Sequence, residues 1–62
     1  DLVGRDGAVL TELRPAGTVL LDGSPVDVVS EGAYIRKGER VRVVSVHGSR
    51  IVVRKLEDMG KV

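Results

Sequence analysis

The stretch VRVVSVHGSRIVVR, residues 41–54, decides how the chain folds. Val41, Val43, Val44, Val46, Ile51, Val52 and Val53 place β-branched aliphatic side chains on both sides of the polar group His47-Gly48-Ser49-Arg50. Two β-prone runs around such a group predict a β-hairpin. A four-residue loop from His47 to Arg50 pairs Val46 with Ile51 and Val44 with Val53 on one face. Val41 and Val43 then fall on the opposite parity. A β-bulge near Val43-Val44 restores it, as is common where barrel strands bend; otherwise both faces are partly covered. The hairpin is the longest apolar segment and the expected nucleus of a small β fold.

Working back toward the N-terminus, residues 31–39, EGAYIRKGE, show no clear period. They read as a loop with at most one helical turn, pinned by Ile35, and Lys37-Gly38 turns the chain into the hairpin. Val26 to Ser30 is a strand with Val26 and Val28 inward and Asp27 outward. Pro25 stands at its start, where a missing N–H is tolerable. Asp22-Gly23 is a strong two-residue hairpin signal. It follows a strand from Thr18 to Asp22 with Val19 and Leu21 on one face. Arg14-Pro15-Ala16-Gly17 fits a type I turn, and Ala8 to Leu13 is the first strand. In that strand Leu10 is the foremost core candidate, with Val9 or Leu13 contributing from an end. Residues 1–6 lead in, with Gly4 and Gly7 bracketing a tight turn. A G-x-x-G pair also occurs in phosphate-binding loops, but here no Lys-Ser/Thr and no helix pattern follows. Beyond Lys55 the pattern is lost. Leu56 can still pack, and residues 57–62 are expected to be a frayed tail.

Sixty-two residues make a single domain. A core of that size is marginal, and with no cysteine there is no disulfide or thiolate metal site to staple it. One histidine builds no metal site, and no cofactor is expected. The remaining solution is a closed barrel, which buries one face of every strand and removes edges. Three short strands in a meander, a connector and a two-strand hairpin give an all-β, five-stranded barrel with the layout of an OB-fold. An SH3-like barrel is the competing arrangement. No stretch approaches the roughly 18 apolar residues of a transmembrane helix, and no signal-peptide pattern is present. The chain starts at Asp1 without Met, which reads as a fragment of something longer.

The turns and strands together resemble the C-terminal soluble domain of NfeD-family membrane proteins. The residues that carry the resemblance are Gly4, Gly7, Thr11, Leu13-Arg14-Pro15, Gly17, Val19, Val26-Asp27-Val28-Val29-Ser30-Glu31-Gly32, Ile35, Lys37-Gly38, Val41, Val43-Val44, Val46, Gly48-Ser49 and Val52-Val53-Arg54. They span nearly the whole chain in order and spacing. One departure is His47, where the family usually has Asp or Asn before the glycine; histidine tolerates a left-handed backbone better than most residues. The resemblance implies an OB-fold barrel and a longer parent with membrane-spanning helices ahead of Asp1. It implies a soluble domain on the cytoplasmic side and a stomatin- or flotillin-like membrane protein as partner. Some longer family members carry a separate serine protease domain with a Ser–Lys pair, so a regulatory role beside such a protease is an alternative. The family assigns no catalytic residue to the barrel.

The chemistry-bearing residues are read alongside that. Ser24, Ser30, Ser45 and Ser49 lack a placed base. Ser49 lies near His47, but no carboxylate is positioned to orient the imidazole. Asp22, Asp27, Glu31 and Glu39 form no tight pair, and solvated surface charge is their default role. Arg36, Lys37, Arg40 and Arg42 form a short basic run next to Tyr34, with Arg50, Arg54 and Lys55 expected beside it across the hairpin. Such a run is ordinarily a solvated, edge-protecting face interleaved with Glu39. Its functional reading is a contact surface made of Tyr34, Arg36, Lys37, Arg40 and Arg42. Tyr34 is either a plug of the barrel or an exposed contact residue. It is the only aromatic residue, and the net charge is +1. An OB-fold nucleic-acid module, the alternative from another class, needs exposed rings on the second and third strands for stacking, and those strands have none. With what the resemblance implies, the reading is a non-catalytic interaction domain, monomeric as a fragment, with no affinity for nucleic acid.

Overall fold

A computed structural model describes residues 2–32 and 34–56. It contains β1 (Asp6–Val9), β2 (Ala16–Leu21), β3 (Ser24–Ser30), β4 (Arg40–His47) and β5 (Arg50–Lys55). They close into a barrel in the order β1-β2-β3-β5-β4. Every neighbouring pair is antiparallel except β3 with β5. This is the five-stranded Greek-key barrel of an OB-fold.

The two hairpins form where the local signals lie. Asp22 and Gly23 both adopt positive φ, 50° and 81°, between the paired residues Leu21 and Ser24. That is the type I′ geometry whose twist matches the flanking strands. Pro25 follows as the second residue of β3. In the second hairpin His47 pairs with Arg50, so the loop is the two residues Gly48-Ser49 rather than four. Val46 faces Ile51 as expected, but the partner of Val53 is Val43, not Val44. The register shifts between Val43 and Ser45, and Val44 is the extra residue of a bulge. The bulge restores parity: Val41, Val43 and Val53 are fully buried, and Ile51 packs against the same core. Val46 shares that face at the end of the barrel and stays exposed.

Alternation therefore places Val44 partly outside. Val53→Ala is expected to cost about 1–3 kcal/mol and Val44→Ala less than about 1 kcal/mol, because only the first truncates a fully buried side chain. Urea melts of the two variants check this, and equal losses would contradict the placement of the bulge.

The first strand differs from its sequence reading. β1 begins at Asp6 and ends at Val9, so Gly7 and Val9 take the inward positions and Leu10 falls outside, 38% exposed. Gly4, at φ 93°, makes the leading turn, while Gly7 is a strand residue. A Cβ on Gly7 would lie 2.5 Å from the Leu20 carbonyl oxygen, so the close approach of β1 to β2 requires glycine. Beyond Leu10 the chain turns: the N–H groups of Leu10 and Thr11 both donate to the Thr18 carbonyl (2.9 and 3.1 Å). The Arg14–Pro15 peptide is cis and β2 already starts at Ala16, so the expected type I turn is not what joins the strands.

Leu13 and Ile35, both fully buried, form an isolated bridge with reciprocal backbone bonds of 2.9 and 3.2 Å. Ile35 thus pins the connector, as its lone apolar position predicts. No helical turn occurs among the connector's described residues; the Glu39 N–H bonds the Arg36 carbonyl across the Lys37-Gly38 turn. Leu56 is half-buried, and the expected frayed tail, 57–62, lies outside the described residues.

Candidate functional site

Ile35 takes the plug position, and its neighbour Tyr34 is turned outward, 47% exposed. The Arg14 guanidinium lies over the Tyr34 ring, 5.5 Å from its centroid, and also bonds the Glu12 carboxylate at 3.0 Å. The Tyr34 hydroxyl and then Arg14 hold the Glu12 carboxyl below its ordinary range. The same hydroxyl, followed by Glu12, raises Arg14. A cation over an aromatic face is attracted by the ring quadrupole. Arg14, Pro15, Gly32 and Tyr34 line a shallow depression of about 390 Å³ here. Arg14 was not among the residues expected at this surface; the only trace of it in the sequence is the Leu13-Arg14-Pro15 motif.

The basic run does not act as one patch. Arg36, Lys37 and Arg40 are exposed at the end of the connector and the start of β4. Among the described residues, none of their charged groups has a carboxylate partner within ion-pair reach. Glu39 accepts the Arg36 backbone N–H and pairs with Lys55 at 3.3 Å. These two partners, in that order, hold its carboxyl low. Arg42 stands apart. It is half-buried and grips Asp6 with two bonds of 2.6 and 3.2 Å, which lowers the Asp6 carboxyl and raises the arginine. Arg54 faces Arg42 across the β4–β5 ladder and reaches Glu31 at 3.5 Å. Arg50 is at the far end of the hairpin, opposite His47, and does not join the group. What remains of the expected group is Tyr34 with Arg14 over its ring, and the exposed Arg36, Lys37 and Arg40 further along the chain.

A second concavity, of about 450 Å³, lies between the β2–β3 pair and the β4–β5 turn, with Gly17, Asp27, Val29, Arg50 and Ile51 in its wall. Ser49 and His47 sit on the turn beside it, and among the described residues no carboxylate is bonded to His47. No group of three or more His, Cys, Asp or Glu side chains converges anywhere among the described residues. No described helix is long and apolar enough to cross a membrane.

Comparison with known proteins agrees with this geometry. Residues 1–55 match the model of the NfeD-like C-terminal, partner-binding domain. The chain is 52% identical over 56 residues to membrane protein NfeD1b of Bacillus subtilis (strain 168). That alignment covers 90% of this chain and 13% of the relative, so the chain spans about an eighth of that protein's length. Among solved structures, it superposes on the C-terminal domain of stomatin operon partner protein 1510-C from Pyrococcus horikoshii with a TM-score of 0.82 and 34% identity, covering 87% of this chain and 86% of that one. It also superposes on the soluble domain of a Corynebacterium glutamicum membrane protein implicated in regulation of membrane protease activity. There the TM-score is 0.78 and the identity 33%, with 87% and 90% of the two chains covered.

Proposed function

The chain belongs to the NfeD family as its C-terminal, partner-binding domain, and on that premise we propose that it is the non-catalytic contact module by which a longer, membrane-anchored protein recruits a stomatin- or flotillin-like partner. The observation that carries this reading is the surface at Tyr34. An exposed aromatic ring is backed by Arg14, and the exposed Arg36, Lys37 and Arg40 that follow it in the sequence form no ion pair among the described residues. Aromatic and arginine side chains are the usual anchors of protein interfaces. Arg42, expected to belong to this surface, instead serves the barrel wall through Asp6.

A face of this size supports only weak association in free solution. Confinement of both proteins to one membrane raises their effective concentration and converts that weak contact into stable association. The isolated domain is accordingly monomeric and binds its partner poorly, while the anchored parent holds it.

Co-purification from membranes tests this. Three forms are compared: the full-length parent, one lacking this barrel, and one carrying Tyr34→Ala, Arg36→Ala and Arg40→Ala. Removing the barrel is expected to abolish recovery of the stomatin-like protein. The triple variant is expected to lower it by about tenfold, the effect of losing one anchor residue. Unchanged recovery without the barrel would sink the recruiting role. Unchanged recovery with the triple variant alone would place the contact on another face.

A further inference from the structure

The barrel is closed unevenly. β3 pairs with β5 only at Val29↔Val52 and Ser30↔Val53, and among the described residues no strand pairs with that side of Ser24–Val28. The direction of the backbone groups there follows from the opposite strand. The Thr18 N–H donates to the Thr11 hydroxyl at 2.9 Å, and the Thr18 carbonyl accepts from Leu10 and Thr11. The Thr18 backbone therefore makes no bond to its partner Asp27, and the Asp27 N–H and carbonyl point away from β2, into the seam. Pro25, two residues earlier, directs its carbonyl the same way and has no N–H to leave unpaired. The Asp27 carboxylate is occupied by the Thr18 hydroxyl, which donates to it at 3.0 Å.

The mouth of the seam is apolar inside, and its outer wall carries Arg50 on the β5 side and the Asp27 carboxylate, turned toward Thr18, on the β3 side. Val26 on β3 and Ile51 on β5, both half-buried, pack against the core. Arg50, on the outward parity next to Ile51, is exposed and has no carboxylate partner among the described residues. The concavity of about 450 Å³ lies along this opening.

We propose that this seam captures an extended segment of the partner protein by strand addition to β3, with an apolar side chain over Val26 and Ile51 and an acidic side chain beside Arg50. The proposal rests on the partner-binding reading above and supplies the chemistry of a second contact. Unpaired N–H and C=O groups on a strand edge are a template for another extended chain. The inward and outward lining then demands alternating apolar and acidic residues, because successive strand side chains point to opposite faces. Few main-chain bonds are on offer, so the segment binds weakly by itself, in keeping with a contact that works only under tethering.

The test uses the 62-residue chain and a short capped peptide alternating valine with glutamate, followed by backbone amide shifts and amide exchange. The expected result is saturable binding that shifts Asp27, Arg50 and Ile51 and slows exchange at Asp27, with a Kd of about 0.1–1 mM. Asp27→Pro removes the N–H that faces the seam together with the side-chain bond from Thr18, and is expected to abolish binding; Asp27→Ala loses only that side-chain bond and, like Asp27→Asn, keeps the N–H and is expected to retain binding. Arg50→Glu is expected to weaken the glutamate peptide by about fivefold and to favour a valine–lysine peptide instead, the scale of an exposed ion pair. The proposal is overturned if the shifts map elsewhere, if neither Asp27→Pro nor Arg50→Glu changes binding, or if a single-stranded oligonucleotide occupies the same amides more tightly than the peptide. Peptide binding at the seam without membrane co-purification would uphold the site and remove the recruiting role. Co-purification without peptide binding would do the reverse.

Discussion

Gly17→Ala is expected to destabilise the chain by about 2–4 kcal/mol, the range of a core forced to take an atom it has no room for. Gly17 is the second residue of β2 and pairs with Val28. A Cβ there would lie 2.5 Å from the Glu12 carbonyl oxygen, 2.6 Å from a Leu13 methyl and 2.9 Å from the Thr11 carbonyl oxygen. A flexible side-chain tip could move aside, but two of these three atoms are backbone, and the loop that carries them is fastened at both ends. The Thr11 hydroxyl accepts from Thr18, and Leu13 is bonded to Ile35 in both directions. Leu13 is itself fully buried, so its methyl has nowhere to retreat. The added methyl must therefore lift the β1–β2 loop off the barrel. A domain of this length holds about 3–9 kcal/mol in total, so the variant is expected to melt far below the wild type. Urea unfolding followed by circular dichroism measures it. A loss below about 0.5 kcal/mol, within the range of an ordinary surface change, would show that the loop yields freely.

That approach of loop to strand was not legible in the sequence, and the reason separates what was readable from what was not. Local signals were sufficient where the answer is local. Asp22-Gly23 predicts its own turn, and the runs around Gly48-Ser49 predict theirs. Val19, Leu21 and Val28 report their inward face by alternation. Ile35 stands as the one apolar anchor in a polar connector. The bulge at Val44 was readable as a conflict of parity, yet the residue that would be displaced was not. Val43 and Val44 are chemically alike, and only the pairing with Val53 distinguishes them. Leu10 was misplaced because the start of β1 is marked by no apolar residue: Asp6 and Gly7 are its first two positions, and Gly7 is inward without a side chain to show it. The proposed contact surface was half readable. Tyr34 and its neighbouring cations are adjacent in sequence, but Arg14 reaches the ring from another loop. Arg42 looks like its neighbours in the sequence, and only the pairing of β1 with β4 sets Asp6 against it. The seam beside β3 was not readable at all, since it exists only where a long-range parallel ladder stops after two pairs.

Ile35→Ala is expected to cost about 2–5 kcal/mol, the cost of deleting a large aliphatic side chain from a site that cannot collapse. Ile35 is fully buried and belongs to the same cluster as Leu13, Val19, Val41 and Val53. Those neighbours are fixed by strand ladders or, for Leu13, by the bridge to Ile35, so they cannot close over the space left behind. The burial cost is shared by the whole barrel, but a second effect is local. Ile35 is the point where the connector is tied to the β1–β2 loop, and the bonds that follow it are the Gly38–Val9 and Val9–Glu39 backbone bonds to β1 and the two Arg36–Glu39 bonds within the connector. Amide exchange at Leu13, Ile35 and Gly38 is therefore expected to quicken more than at residues of the β4–β5 ladder. Leu10→Ala, at a position 38% exposed, is the matched control and is expected to stay within about 0.5 kcal/mol of wild type. Tyr34 supplies an internal reporter, since it is the only aromatic residue in the chain. Loss of the Ile35 anchor is expected to change its fluorescence under native conditions, as the ring parts from Arg14 and Glu12. If Ile35→Ala lowers stability while the Tyr34 signal and the exchange pattern keep their wild-type form, then Ile35 fills the core but does not position the proposed contact surface. If all three change together, one buried side chain holds both the core and the proposed contact face.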